Sequence, residues 1–146
     1  MDTKREVLRH LVATVAYRGR VAVTGSPMDF ADFRAGGSVR SPVEILAHVG
    51  DLLVGSKFLM AGEFVELTSA PMSWNNEIQR FYSSVRDLDA FLETDVPLAF
   101  PVEKFVQGPI GDALTHVGQI VLLRRLAGAP IQQESYFEAA IVPGEF

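Results

Sequence analysis

The sequence predicts an all-α protein, a four-helix bundle formed by one domain over residues 1–146. Apolar residues recur at helical spacing in four stretches, helix start and stop residues bound these stretches, and little of the chain alternates as a strand does. The length of 146 residues suits one domain, and an apolar content of 48% supplies a core. Helices that each carry an apolar stripe bury it by packing on one another.

The first helix is expected to follow a cap at Asp2 or Thr3, since both side chains can accept a hydrogen bond from the first turn. Its apolar stripe continues weakly to Val23, and the segment Gly25–Pro27 ends it. His10 lies off the stripe beside charged neighbours, so we interpret it as a surface residue.

Residues 24–40 form a long connection rich in glycine, whose two phenylalanines, Phe30 and Phe33, are expected to pack against the bundle. A loop of this length in a compact domain is often functional. Structural packing explains it equally well, and both interpretations stay open.

The second helix has the clearest start. The segment Ser41–Glu44 is a capping box with Pro42 at the first helical position, and Gly62 is a plausible stop. His48 lies on the flank of the apolar stripe, where a histidine is either a packed, hydrogen-bonded side chain or a ligand.

The third helix follows the connection 63–72 and is expected to begin after Ser73 or Asn75. Its aromatic and aliphatic stripe, from Trp74 to Leu92, indicates core packing. Glu77 on the flank is interpreted as an exposed carboxylate, the alternative being that it faces the same pocket as the histidines.

Residues 94–107 could hold a short extended segment, which is not enough to predict a sheet, and the fourth helix is predicted over Gly108–Gly128. Pro109 suits its first turn, and Pro130 follows the glycine that ends it. Apolar residues lie on two faces of this helix, which predicts that it is buried within the bundle. The tail is expected to hold one short turn around Tyr136.

Asp112 and His116 on the fourth helix are four residues apart and therefore share a face. They could form a local polar contact, or lie near solvent at one end of the bundle. Alternatively, two ligands at this spacing can reach one metal ion.

Composition excludes several classes of function. The chain has no cysteine, which rules out disulfides, a thiolate nucleophile and a cysteine zinc site. A formal charge of −5 opposes binding to nucleic acid or to an anionic membrane. Arg124 and Arg125 are interpreted as solvated or capping residues. The charged first residues do not form a signal peptide and no apolar run is long enough to span a bilayer, so we expect a cytoplasmic protein.

Two segments, LAHVGDL on the second helix and DALTHVGQIVLLRRLAG on the fourth, resemble the DinB/YfiT-like superfamily. The resemblance extends over nearly the whole chain and implies a four-helix bundle. Many members hold a divalent metal with three histidines, one from the second helix and two from an H-x-x-x-H spacing on the fourth. In this chain the corresponding residues are His48, Asp112 and His116, so the sequence departs from the pattern at position 112.

Two histidines and one carboxylate are an accepted ligand set for a metal site with open positions. Zinc or nickel would be the first candidates, and iron or manganese the next. Asp112 could instead orient His116, which would leave a weak or empty site.

The resemblance further implies a metal-dependent enzyme, such as a transferase or hydrolase that uses a low-molecular-weight thiol on a small-molecule substrate. Gln119, one turn beyond His116, could orient a ligand. Pairing into a homodimer is also expected. The rival interpretation is a non-catalytic bundle that binds a small ligand or a protein partner.

Overall fold

The computed structural model describes residues 2–67 and 70–146. Within these residues all regular secondary structure is helical, which confirms the all-α class predicted from the sequence. The helices are α1 (Thr3–Val23), α2 (Pro42–Met60), α3 (Trp74–Glu93), α4 (Val102–Phe105) and α5 (Gly111–Leu126), with a 3-10 turn at Phe30–Asp32 and a π-helical segment at Val106–Ile110.

The four long helices pack around one core, with α1 and α2 each lying against both α3 and α5. Arg5, near the start of α1, donates to the carbonyls of Phe91 and Leu92 at the end of α3, so α1 and α3 are antiparallel. Arg124, near the end of α5, donates to Ala22 at the end of α1, so those two helices run the same way. The chain therefore does not alternate strictly up and down.

The predicted helix starts are confirmed at three caps. The side chain of Asp2 accepts from the Lys4 amide, and that of Ser73 accepts from the Asn76 amide. Ser41 and Glu44 form the complete capping box at the start of α2. These local hydrogen bonds satisfy amides that have no partner within the helix.

The start of the last helix differs from the prediction. Pro109 lies inside the π-helical segment rather than at a first turn, and the regular helix α5 begins only at Gly111. Gly108 has non-helical backbone angles (φ −102°, ψ −114°), as expected because proline disfavours the helical conformation of the residue before it. Residues 94–107, where the sequence allows a short extended segment, instead include the helix α4 from Val102.

The expectation that the last helix is surrounded by core is also wrong. Its buried residues lie on one side, whereas Gly118, Gln119, Leu122 and Leu126 are exposed. The buried side is formed by Ile110, Ala113, Val117, Ile120, Leu123 and Arg124. The prediction of a stop is confirmed, since Gly128 has φ +75° and follows the last turn.

The loop after α1 packs as predicted. Phe30 is buried and lies edge-on to Trp74, with the two ring centroids 5.8 Å apart. Phe33 packs against the same core. The indole N–H of Trp74 donates to Ser26 at 3.0 Å. The loop is thus anchored to α3.

Two charged residues are more buried than the sequence indicated. Glu77 was interpreted as exposed, but it is only 2% accessible, accepts from the Met72 amide and lies 3.5 Å from Arg80. Arg124 is buried and donates to the carbonyls of Ala22 and Thr24, each at 3.0 Å, so the capping interpretation holds for it. Arg125 is exposed.

No helix in residues 2–67 and 70–146 combines the length and the apolar character needed to cross a membrane.

Candidate metal centre

The candidate site lies between α2 and α5, which pack side by side. His48 projects from the first half of α2, while Asp112 and His116 occupy the first turns of α5. The spacing of four along α5 places its two residues on one face. The packing of the helices then brings His48, which is more than sixty residues away in sequence, to the same place.

The three side chains, here called the trio, converge closely. One potential ligand atom from each lies within 4.8 Å of the other two. The Asp112 carboxylate lies beside both imidazoles, with Oδ2 3.7 Å from His48 Nε2 and Oδ1 3.2 Å from His116 Nδ1. The two rings are 4.7 Å apart between centroids, at 66°.

His116 is oriented by its own helix. Its Nδ1 lies 2.8 Å from the backbone carbonyl oxygen of Asp112. In the neutral ring this geometry favours a proton on Nδ1 that is donated to the carbonyl, which leaves the lone pair on Nε2. Ligating histidines commonly donate their other ring N–H in this way, and the bond fixes both the tautomer and the ring orientation.

The surroundings of His48 favour its neutral form. Burial lowers the pKa of His48 below its ordinary value, and the neighbouring His116 and Arg40 lower it further, against an opposing effect of Asp112. A neutral imidazole is the form that can ligate a metal. The surroundings of His48, burial first among them, therefore favour the form that can bind a metal.

The trio lies at the surface of the bundle rather than in its core. The side chains of His48, Asp112 and His116 are 34%, 48% and 15% exposed. A pocket of about 640 Å³ adjoins the two histidines, a size within the range of about 300–1,000 Å³ that is usual for small-molecule sites. A molecule in this pocket would have direct access to both rings.

The donor set fits a divalent transition metal. Zinc takes imidazole nitrogen and carboxylate oxygen at about 2.0–2.2 Å, which places donors roughly 3–4 Å apart. Separations of up to 4.8 Å are within reach of that range by small side-chain rotations. With three protein donors on one side and the pocket on the other, positions for an exogenous ligand would remain.

The same geometry also suits a hydrogen-bond network. The Asp112 carboxylate can accept from either imidazole, and such a contact needs no ion. Both interpretations of Asp112 made from the sequence therefore fit its position, as a ligand or as an acceptor that orients His116.

Other candidates from the sequence have different places. His10 is exposed on α1, as predicted. Glu77 lies with Arg80 between α2 and α3 and is not part of the trio. Gln119 lines the pocket together with the two histidines.

Sequence reasoning left a function of the loop 24–40 open but did not predict that the end of this loop forms one wall of the pocket. Ser38, Val39 and Arg40, which directly precede the cap of α2, face Leu122 and Leu123 of α5 across it. Their position before a capping box was visible in the sequence, but nothing local indicates that this loop lies against α5.

Searches against models of protein families, curated proteins and solved structures found no match for this chain. The resemblance to the DinB/YfiT-like superfamily therefore rests on the two segments quoted above.

Proposed function

We propose that this chain is a DinB/YfiT-like four-helix-bundle protein that holds a divalent metal ion with His48, Asp112 and His116 and acts on a small molecule in the adjacent pocket. One observation carries the proposal. Two histidines and a carboxylate from two helices meet within 4.8 Å, beside a pocket large enough for a substrate.

The proposed activity is a thiol-dependent transfer or a hydrolysis. A bound divalent ion lowers the pKa of a coordinated thiol or water, so that the nucleophile is available at neutral pH. Zinc or nickel is proposed first because imidazole suits both, with iron or manganese next.

The residues of the trio have distinct roles in this proposal. His48 and His116 donate neutral nitrogens, and the backbone carbonyl of Asp112 holds the His116 ring in place. The Asp112 carboxylate adds a negative charge, which lowers the Lewis acidity of the ion compared with a third histidine. Gln119, on the pocket wall, can orient the substrate by hydrogen bonds.

The second candidate is a non-catalytic bundle in which the trio is a hydrogen-bond network beside a site for a small ligand or a protein partner. The 3.2 Å distance between Asp112 Oδ1 and His116 Nδ1 supports it, since a protonated ring nitrogen at this distance can donate to the carboxylate. The two candidates differ in whether the purified protein binds a metal stoichiometrically.

Calorimetric titration with zinc and nickel separates them. We expect one ion per chain for the wild type, loss of most binding in His116→Ala, and weaker binding in Asp112→Ala, by roughly 10–100-fold if the carboxylate only orients His116. His10→Ala is the matched control, because it removes an exposed histidine from α1. Equal affinity in wild type and His116→Ala would refute the metal site and leave the network.

The thiol hypothesis has its own measurement. Addition of glutathione to nickel-loaded protein should produce sulfur-to-nickel charge-transfer absorption, and His10→Ala should retain it. If nickel is bound but no such band develops with glutathione or other small thiols, the hydrolytic version of the proposal remains.

A further inference from the structure

Arg40 contributes a positive charge to the pocket beside the trio. It lies on the loop wall with Ser38 and Val39, whereas Ile45 and His48 of α2 and the α5 residues form the remainder. Arg40 is thus the cationic residue of the pocket lining.

The backbone at Arg40 is held on both sides. Before it, Gly36 and Gly37 adopt positive φ angles of 113° and 57°, and the Val39 amide donates to the Gly36 carbonyl at 3.3 Å. After it, Ser41 is fixed by the capping box at the start of α2. The turn and the cap together position residue 40 in the wall of the pocket.

The charge of Arg40 is available to a ligand. Arg34, on the same loop, forms an ion pair with Glu44 at 2.9 Å, and Glu44 in turn caps α2. Arg40 has no carboxylate within 4.0 Å among the described residues. An arginine side chain presents a planar fork that can bind a carboxylate or a phosphate through two parallel hydrogen bonds.

We infer that the pocket takes a small organic anion, whose acid group pairs with Arg40 and whose apolar part packs on Ile45, Leu122 and Leu123. The inference deepens the proposed function and rests on it for the reacting end of the molecule, which would face the trio. It names a substrate class, an amphipathic acid with a carboxylate or phosphate group.

Charge and shape both support this class. The whole chain carries a formal charge of −5, so a cationic pocket is a local exception that would concentrate anions there. A divalent ion bound with one carboxylate would leave further positive charge next to Arg40. The aliphatic residues of the lining suit an apolar part of the ligand, which favours a molecule that joins an acidic group to a hydrocarbon part.

The test compares hexanoate, hexyl phosphate and the neutral hexanamide by calorimetry, with metal-free and with zinc-loaded protein. We expect either acid to bind more tightly than hexanamide, and Arg40→Gln to weaken binding of that acid by about tenfold or more, the loss expected when a charge-assisted hydrogen bond is removed. Arg34→Gln is the matched control. It removes the same charge from the same loop, outside the pocket lining, and should leave acid binding unchanged.

The outcomes distinguish this inference from the proposed function. If zinc does not bind, but metal-free protein still selects an acid over hexanamide through Arg40, the metal site fails and the anion site stands. If zinc binds, and each acid has the same affinity for Arg40→Gln as for the wild type, the anion site is refuted and the metal site stands. The anion site is also refuted if hexanamide binds as tightly as the acids, or if neither acid binds. The preferred acid identifies the anionic group.

Discussion

Gly19 tests how closely α1 and α3 pack. A Cβ atom at this position would lie 2.3 Å from Cζ and 2.8 Å from Cε1 of Phe81, a fully buried ring on α3. Carbon atoms at optimal separation are about 3.5–4.0 Å apart. Gly19→Ala would therefore force the ring to retreat by roughly 1 Å into a close-packed core.

The expected free-energy change combines two opposing effects. Overpacking of this kind costs about 1–3 kcal/mol. Alanine in place of a mid-helix glycine stabilises the helix by about 1 kcal/mol. Gly19→Ala should therefore be between roughly neutral and destabilising by about 2 kcal/mol.

Gly118 provides the matched control. It lies within α5, is exposed, and has no atom within 4 Å of an added Cβ. Gly118→Ala should show only the stabilisation that alanine gives a helix. The free energies of unfolding of the two variants should therefore differ by about 1–3 kcal/mol.

Urea denaturation of both variants measures this difference. Phe81→Leu should cost less stability in the Gly19→Ala background than in the wild type, because the smaller side chain relieves the clash. If Gly19→Ala is as stable as Gly118→Ala, then α1 and α3 do not approach as the structure describes, and the packing argument is refuted.

Four further predictions follow from the site and the caps. Asp112→His should tighten zinc and nickel binding, because it completes the three-histidine set; titration showing weaker binding would contradict this. Hydrogen bonds, led by that from the Ser41 amide, lower the pKa of Glu44 from 4.5 to about 2, so its stabilising contribution is complete above pH 4.5 and is lost as the pH falls towards 2. Glu44→Gln should therefore flatten the fall in melting temperature over that pH range, and parallel curves for variant and wild type would refute the assignment. Ser41→Ala should lower the free energy of unfolding by about 1 kcal/mol in denaturant titrations, with exposed Ser38→Ala as the control that should change little. The expected homodimer should give a dimer mass by light scattering at micromolar concentration, because pairing would cover exposed apolar residues such as Leu126 on α5, and a monomer mass argues against pairing.

Local sequence determined the helices because their starts and stops depend on neighbouring residues. The capping box at Ser41, the caps at Asp2 and Ser73 and the stop at Gly128 are interactions within a few residues, and each occurs where the pattern placed it. The kink at Gly108 was missed because Pro109 is compatible both with a helix start and with an interruption. Distinguishing the two requires knowing that helical structure already begins at Val102.

For the site, the sequence supplied His48, Asp112 and His116 through the resemblance, and their spacing alone could place only the last two together. Three features of the site region depend on which helix faces which. They are the contact of His48 with α5, the burial of Glu77 and Arg124, and the position of Arg40 at the pocket. That arrangement is decided by packing between segments distant in the chain, because periodicity shows that a face is apolar without naming the surface that covers it.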